Sequence, residues 1–373
     1  MKKIVYVTGS RAEYGRMRST LHLIEKQSSL KLSLIVTGMH LSQEFGYTIR
    51  EIERDGFKID SKIQALPLHD TGAAMAEALA RCITGITKIL RKKKHDFILV
   101  LGDRGEMLAA SIAGAHMNIP VIHVGGGYVS GSIDDRLRDA ITIFSDIHFT
   151  PNKKSAERVI ALGAKPSSVY VVGAPDLDAI RNKEFAKPKE IARKFHLDLT
   201  KSIILVSQHP VTTEVEESGD QMRETMEAVV EMGMQTIVIN PNADAGGRRM
   251  LRVINESKNV PFVQIYRNVP YASHLGLMNV ADVMVGNSSA GIIEAPSFGL
   301  PVVNIGTRQE GRERAENVID VGYDRKEIIV ALKRALTPEF KRIAKSCKNP
   351  YGDGKTGEKI VNILAKIVRV ETQ

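Results

Sequence analysis

Short apolar runs that end in glycine or polar residues recur along the chain, and segments with apolar residues at helical spacing lie between them. In the first half the runs are Ile4–Thr8, Leu32–Val36, Phe97–Leu101, Val121–Val124, Ile147–Phe149 and Val169–Val172. The clearest helical patterns are Ala73–Lys92 and Met107–His116. Strands that alternate with helices predict a parallel sheet covered by helices on both faces.

The same alternation starts a second time after a polar stretch. Asp176–Thr200 is rich in charged residues and contains Pro188, which is typical of a connection between domains. The second series of runs is Ser202–Ser207, Gln235–Ile239, Phe262–Ile265, Val283–Val285, Pro301–Ile305 and Val318–Ile319. We therefore predict an α/β protein with two Rossmann-like domains facing a central cleft, over 1–178 and 179–354, with a helix in 355–373 that packs back on the first domain.

Charge and cysteine content narrow the function classes. The formal net charge is +9, but basic residues are spread among acidic ones, so we expect an anionic small substrate and no nucleic-acid partner. Cys82 and Cys347 lie far apart, which predicts free thiols and no metal site. Since no apolar run is long enough to span a bilayer, the interpretation is a cytoplasmic protein without a membrane partner.

In the second half, Gly286-Asn-Ser-Ser289 follows a buried strand and precedes a helical pattern. Asn287, Ser288 and Ser289 can cap that helix, and its first N–H groups form an anion site suited to a diphosphate. Glu294 then offers a carboxylate to ribose hydroxyls. The alternative is an ordinary strand-to-helix turn with a serine cap.

His209 ends another run and is followed by Pro210, a loop start. Its imidazole can contact a phosphate or transfer a proton, and the alternative is a buried structural histidine. Asn242 repeats this position one strand later.

Charged residues follow the strands of the first half at the edge where open α/β sheets bind ligands. Arg11 comes directly after a glycine turn and can fork onto phosphate oxygens, unless it is simply a surface arginine. Asp103 is either a helix cap or a catalytic acid or base. Asp134 and Asp135, with Arg138 beside them, suit either an acid/base pair or a helix cap with an ion pair.

Taken together, these motifs resemble the UDP-N-acetylglucosamine 2-epimerase family, and in particular its hydrolysing branch. The resemblance covers nearly the whole chain. It rests on Gly9-Ser-Arg-Ala-Glu-Tyr-Gly15, Val36-Thr-Gly38, Gly102-Asp-Arg104, Ile133-Asp-Asp135 with Arg138, Gln208-His-Pro-Val-Thr-Thr213, Gly286-Asn-Ser-Ser289 with Glu294, and Gly306-Thr-Arg-Gln309 with Gly311-Arg312.

The resemblance implies a glycosyltransferase-B-like fold and a homodimer or homotetramer. It also implies release of UDP from a UDP-amino sugar through a 2-acetamidoglucal, to give an N-acetylmannosamine-type sugar for sialic-acid-type products, without a cofactor or metal. The residues it assigns to catalysis are Asp103, Asp134, Asp135, Arg138 and His209. Those it assigns to the substrate or its UDP are Arg11, Arg104, His209, Asn242, Ser288, Ser289, Glu294 and Arg308.

The sequence departs from the family pattern on the sugar side. Hydrolysing members typically read His-Ile-Glu-Gly-Gly-Glu or His-Ile-His-Gly-Gly-Glu, whereas this chain reads His123-Val-Gly-Gly-Gly-Tyr128, and Asp139 stands where a histidine is usual. Three other interpretations therefore stay open: a non-hydrolysing 2-epimerase, a glycosyltransferase, and a nucleotide-sugar binding protein that has lost catalysis.

Overall fold

The computed structural model describes residues 1–66, 71–129, 134–242 and 244–367 and divides the chain into two compact units. The first unit comprises the described residues of Met1–Tyr128, Asp134–Asn182 and Tyr351–Gln373, and the second those of Val129–Ile133 and Lys183–Pro350. Each unit has its own parallel sheet, and the two units are described separately below.

The first unit contains a seven-stranded sheet in the order β3-β2-β1-β4-β5-β6-β7. Its strands are β1 (Lys2–Thr8), β2 (Leu30–Thr37), β3 (Ile59–Ile63), β4 (Phe97–Leu101), β5 (Val121–Val124), β6 (Ile147–Thr150) and β7 (Val169–Val171). The helices between them are α1 (Arg11–Lys26), α2 (Ile49–Arg54), α3 (Gly72–Lys92), α4 (Gly105–His116), α5 (Asp134–Ile143), α6 (Lys153–Ala161) and α7 (Asp176–Arg181).

The alternate residues of β1 show why these strands read as continuous apolar runs. Ile4 and Tyr6 belong to one buried cluster, whereas Val5 and Val7 belong to the cluster on the opposite face. Both faces are therefore covered by helices, as a parallel sheet requires.

The second unit contains a six-stranded sheet in the order β10-β9-β8-β11-β12-β13. Its strands are β8 (Ile203–Ser207), β9 (Gln235–Ile239), β10 (Val263–Tyr266), β11 (Val283–Gly286), β12 (Val302–Ile305) and β13 (Val318–Val321). Its helices are α8 (Pro188–Lys194), α9 (Ser218–Met232), α10 (Gly247–Glu256), α11 (Tyr271–Val280), α12 (Ala290–Ile293), α13 (Ala295–Phe298), α14 (Arg325–Ala335) and α15 (Pro338–Ser346).

Both sheets reverse their strand order at one place, between β1 and β4 in the first unit and between β8 and β11 in the second. Such a reversal opens a crevice beyond the carboxyl ends of the two central strands, where ligands bind in open α/β sheets. Arg11 and Asp103 follow the strands at the first reversal, and His209 and Asn287 follow those at the second.

The final helix, α16 (Thr356–Lys366), belongs to the first unit and packs on α1. Asp178 in α7 caps it by accepting hydrogen bonds from the N–H groups of Thr356 (2.9 Å) and Gly357 (2.5 Å). Lys2 donates to the carbonyls of Leu364 and Ala365 near its other end, both at 2.9 Å. Residues 368–373 of the expected C-terminal helix lie outside the described residues.

The polar stretch after residue 175 is not one continuous linker, contrary to the prediction. Asp176–Arg181 forms α7, which packs on α1, while Pro188–Lys194 forms α8 in the second unit. The change between units falls at 182/183 and 350/351, close to the expected 178/179 and 354/355. The polar composition hid α7 because two of its carboxylates, Asp176 and Asp178, are buried and bonded.

Candidate functional site

The first group of functional side chains surrounds Arg138, a residue of α5 that is fully buried. Its Nη2 donates to the carboxylate of Asp103, and its Nη1 donates to Asp135 at 2.5 Å. Although burial alone would lower it, the carboxylates of Asp103 and Asp135 raise the pKa of Arg138. One permanently charged guanidinium therefore fixes two half-buried carboxylates beside each other.

The backbone around Asp103 is held by a neutral histidine. His123 in β5 bonds through Nε2 to the carbonyl of Gly102 (2.8 Å) and through Nδ1 to the hydroxyl of Thr142 (3.1 Å). Burial lowers the pKa of His123 to about 3, so Nε2–H donates and Nδ1 accepts. Asp134 begins α5 one residue before Asp135 and is half-buried.

Arg11 and Arg104 lie in the same unit but in different surroundings from Arg138. Arg11 is the first residue of α1 and is half-buried, and this burial lowers its pKa while Glu51 opposes the change. Arg104 lies between two carboxylates, with its Nε 3.6 Å from Glu13 and 3.5 Å from Glu106. Burial raises the pKa of Glu13, with Arg104 acting in the opposite direction.

The second group follows β8 and β11 in the other unit. The amide of Asn287 accepts the N–H of His209 (2.7 Å) and donates to its carbonyl (2.8 Å), which clamps the two strand ends together. The carbonyl of Asn287 in turn accepts from Arg308 (3.1 Å) and Gln309 (2.8 Å). Arg308 is thereby anchored next to Ser288 and Ser289.

His209 is a neutral donor in this arrangement. Burial lowers its pKa to about 3, with Arg308 and His274 adding to the effect. Its Nδ1 accepts the N–H of Asn242 at 3.1 Å, so the ring proton lies on Nε2. The geometry thus favours hydrogen bonding to a phosphate oxygen, one of the two roles expected for His209, over proton abstraction.

The helix predicted after Ser289 is wrong in its length. The chain forms two short helices, α12 and α13, which meet at Glu294, and Ser289 caps the first without a side-chain hydrogen bond. Pro296 has no N–H to continue the helical bonding. Anion binding at this turn must therefore come from side chains and loop N–H groups, because a four-residue helix has little dipole. Glu294 is 4% exposed.

Glu214 is a residue of this group that sequence reasoning missed. Its carboxylate accepts hydrogen bonds from Thr307 (2.6 Å), Tyr323 (2.9 Å) and Gln221 (2.7 Å). The loop after β8 is thus tied to the loop that carries Arg308. Its sequence signal was only an acid four residues after a strand-end His-Pro.

No helix among the described residues is long and apolar enough to cross a membrane. Within the same residues, no group of three or more histidine, cysteine or acidic side chains is placed to hold a metal ion.

The model of the family described as UDP-N-acetylglucosamine 2-epimerase matches residues 22–365 of the chain. The chain belongs to the UDP-N-acetylglucosamine 2-epimerase family. A UDP-N,N'-diacetylbacillosamine 2-epimerase (hydrolyzing) from Legionella pneumophila is 40% identical over 368 residues, covering 98% of this chain and 96% of that protein. Polysialic acid biosynthesis protein P7 from Escherichia coli is 32% identical and covers 94% and 90% of the two chains. These relatives agree with the hydrolysing branch of the epimerase family.

Solved structures of the family have the same fold. The UDP-GlcNAc 2-epimerase of Neisseria meningitidis, crystallised with UDP-GlcNAc, superposes with a TM-score of 0.83 at 21% identity, covering 98% of this chain and all (100%) of that one. The two parallel-sheet domains are thus those of a glycosyltransferase-B-like epimerase, as the sequence predicted.

Proposed function

We propose that this epimerase releases UDP from a UDP-2-acetamido sugar and returns the sugar inverted at C2. The observation that carries the proposal is the bridge from buried Arg138 to both Asp103 and Asp135 at the reversal point of the first sheet. Two carboxylates held beside each other at a ligand-binding edge suit proton transfer to and from a carbon.

In the proposed reaction, one carboxylate among Asp103, Asp134 and Asp135 removes the proton from C2 of the sugar. The C1–O bond breaks, and its electron pair leaves with UDP, so that a 2-acetamidoglucal forms. Water then adds its oxygen to C1, and a proton returns to C2 from the opposite face. Arg138 orients the carboxylates and balances their charge.

The UDP portion is assigned to the second unit. His209 offers Nε2–H, Arg308 offers a fork of N–H groups, and both suit diphosphate oxygens. Asn242, Ser288 and Ser289 add polar contacts, and Glu294 is placed for the ribose hydroxyls. Arg11 and Arg104 of the first unit are proposed as further substrate contacts, although two carboxylates already offset the charge of Arg104.

For the sugar we propose a diacetylated diamino sugar. Support comes from two relatives, from Legionella pneumophila and Campylobacter jejuni, whose names specify N,N'-diacetylbacillosamine and which match 98% and 100% of this chain at 40% and 32% identity. N,N'-Diacetylbacillosamine carries two acetamido groups, whereas N-acetylglucosamine carries one. We further propose a cytoplasmic homodimer or homotetramer that supplies sialic-acid-type sugars, without nucleic-acid or membrane partners.

Proton NMR in deuterated water tests the proposal with UDP-N,N'-diacetylbacillosamine and UDP-N-acetylglucosamine as substrates. The expected result is free UDP and a sugar epimerised and deuterated at C2. An epimer still linked to UDP would mean a non-hydrolysing enzyme. Line broadening of both substrates without conversion would mean a binding protein, which the glycine at 125 and the tyrosine at 128 keep as the second candidate.

A further inference from the structure

Tyr128 and Gly125 form one packing unit after β5. A Cβ atom on Gly125 would lie 3.3 Å from Cε2 of Tyr128, which is tighter than ordinary contact, and the φ of Gly125 is +83°. Any other residue at 125 would be strained in this left-handed conformation and would press on the ring. The ring therefore covers bare backbone.

This packing unit lies next to the carboxylate cluster. The carbonyl of Tyr128 accepts a hydrogen bond from Nη1 of Arg138 at 2.9 Å, and the same guanidinium holds Asp103 and Asp135. Leu101, two residues before Asp103, approaches the Cβ position of Gly125 to 3.8 Å. Tyr128 thus lines the same edge of the sheet as the two carboxylates.

The ring is held from behind and is half-buried. Tyr351, which is 1% exposed, packs against it with ring centroids 5.7 Å apart and an angle of 43° between the planes. An aromatic ring braced in this way gives a rigid apolar wall at a sugar site. Such a wall attracts C–H groups and the methyl of an acetyl group, whereas it gives little to an additional hydroxyl.

We propose that Tyr128, packed over Gly125, is a specificity-determining residue that selects a sugar with a second acylated amino group over one with a hydroxyl at that position. This inference rests on the proposed function for the identity of the substrates. One buried apolar group is worth about tenfold or more in discrimination.

The test compares kcat/KM for UDP-N,N'-diacetylbacillosamine with that for UDP-N-acetylglucosamine in four proteins. Wild type should prefer the diacetylated sugar, and Tyr128→Phe, which keeps the ring, should retain that preference within about twofold. Tyr128→Gln should lower it by about tenfold, mainly through KM. Tyr170→Leu removes another half-buried tyrosine of the same unit, on β7, and should leave the preference unchanged.

A preference unchanged in folded Tyr128→Gln would overturn the inference. If that variant does not fold, Tyr128→Leu replaces it and should lower the preference by a smaller factor. Wild type that turns over neither substrate would overturn the proposed function instead. Calorimetric titration of the same variants with both UDP-sugars then decides the inference, because equal affinity ratios in wild type and Tyr128→Gln contradict it.

Discussion

The two strand-order reversals have the same topology but are built from different chemistry. At the first, a buried guanidinium holds two carboxylates. At the second, an amide clamps a neutral histidine to the neighbouring strand, and its carbonyl anchors an arginine. The first arrangement suits proton transfer, and the second suits a fixed anion such as a diphosphate. One fold thus presents two kinds of chemistry through a few residues after its strands.

Loss of Arg138 should have the largest effect and should be confined to the first site. Arg138→Met leaves two carboxylates without their shared partner, so we expect turnover to fall at least about a thousandfold and stability to fall by about 3–5 kcal/mol. UDP affinity should remain within about twofold, since His209 and Arg308 are unchanged. Steady-state kinetics, chemical denaturation and calorimetry measure the three quantities, and an equal loss of UDP affinity would contradict the separation of roles.

Asp103→Asn and Asp135→Asn should each lower turnover by about 10²–10⁴. Asparagine keeps the shape of the side chain but cannot accept the C2 proton. Asp139→Asn, on the same helix as Asp135, is the matched control and should retain most of the activity. Deuterium exchange at C2 measured beside UDP release shows which step is lost, and near-normal turnover would remove the residue from the mechanism.

Changes at the second site should instead weaken UDP binding by about tenfold. Arg308→Lys replaces a fork by a point charge and should lose much of what Arg308→Ala loses. Glu294→Ala removes charge-assisted bonds to ribose, worth about 1.5–3 kcal/mol. Arg314→Lys, at an arginine paired with Asp320 in the same unit, is the control. Calorimetry with UDP measures these affinities, and wild-type affinity in the Arg308→Lys variant would oppose the forked contact.

The smallest effect concerns stability and pH. His209 has a folded pKa of about 3, below its ordinary value, so the folded unit excludes a proton that the unfolded chain binds. Its contribution is complete above about pH 6.5 and is lost as the pH falls toward 3. Between about pH 7.5 and about pH 4.5, wild type should therefore lose roughly 2–3 kcal/mol more than His209→Asn. Equal losses for the two proteins in denaturant titrations would mean that His209 is accessible to protons.

The central strands and the residues after them were predictable because burial on both faces leaves a continuous apolar run. Asp103 after β4 and His209 after β8 follow directly from that signal. The edge strand β3 was not predicted, since Ile59–Ile63 is polar and only its last residue is buried. An edge strand needs little apolar surface, and periodicity alone does not reveal it.

Contacts between distant polar residues were the other part that sequence did not reveal. The pairing of Arg138 with Asp135 joins residues three positions apart on one helix, a spacing at which oppositely charged side chains meet. The second bond of Arg138, to Asp103, joins residues 35 positions apart. The same holds for Glu214 with Tyr323, 109 positions apart, where composition and spacing carry no signal.

The return of α16 to the first unit has a consequence for protein synthesis. Lys2 and Asp178 both bond a helix that leaves the ribosome after the other helices and strands described above. The first unit therefore cannot complete its fold while the second is being translated, and Ile360 and Leu364 reach its core last. A gene truncated after residue 350 would release a protein whose amino-terminal half is unfinished, although residues 1–182 would all be present.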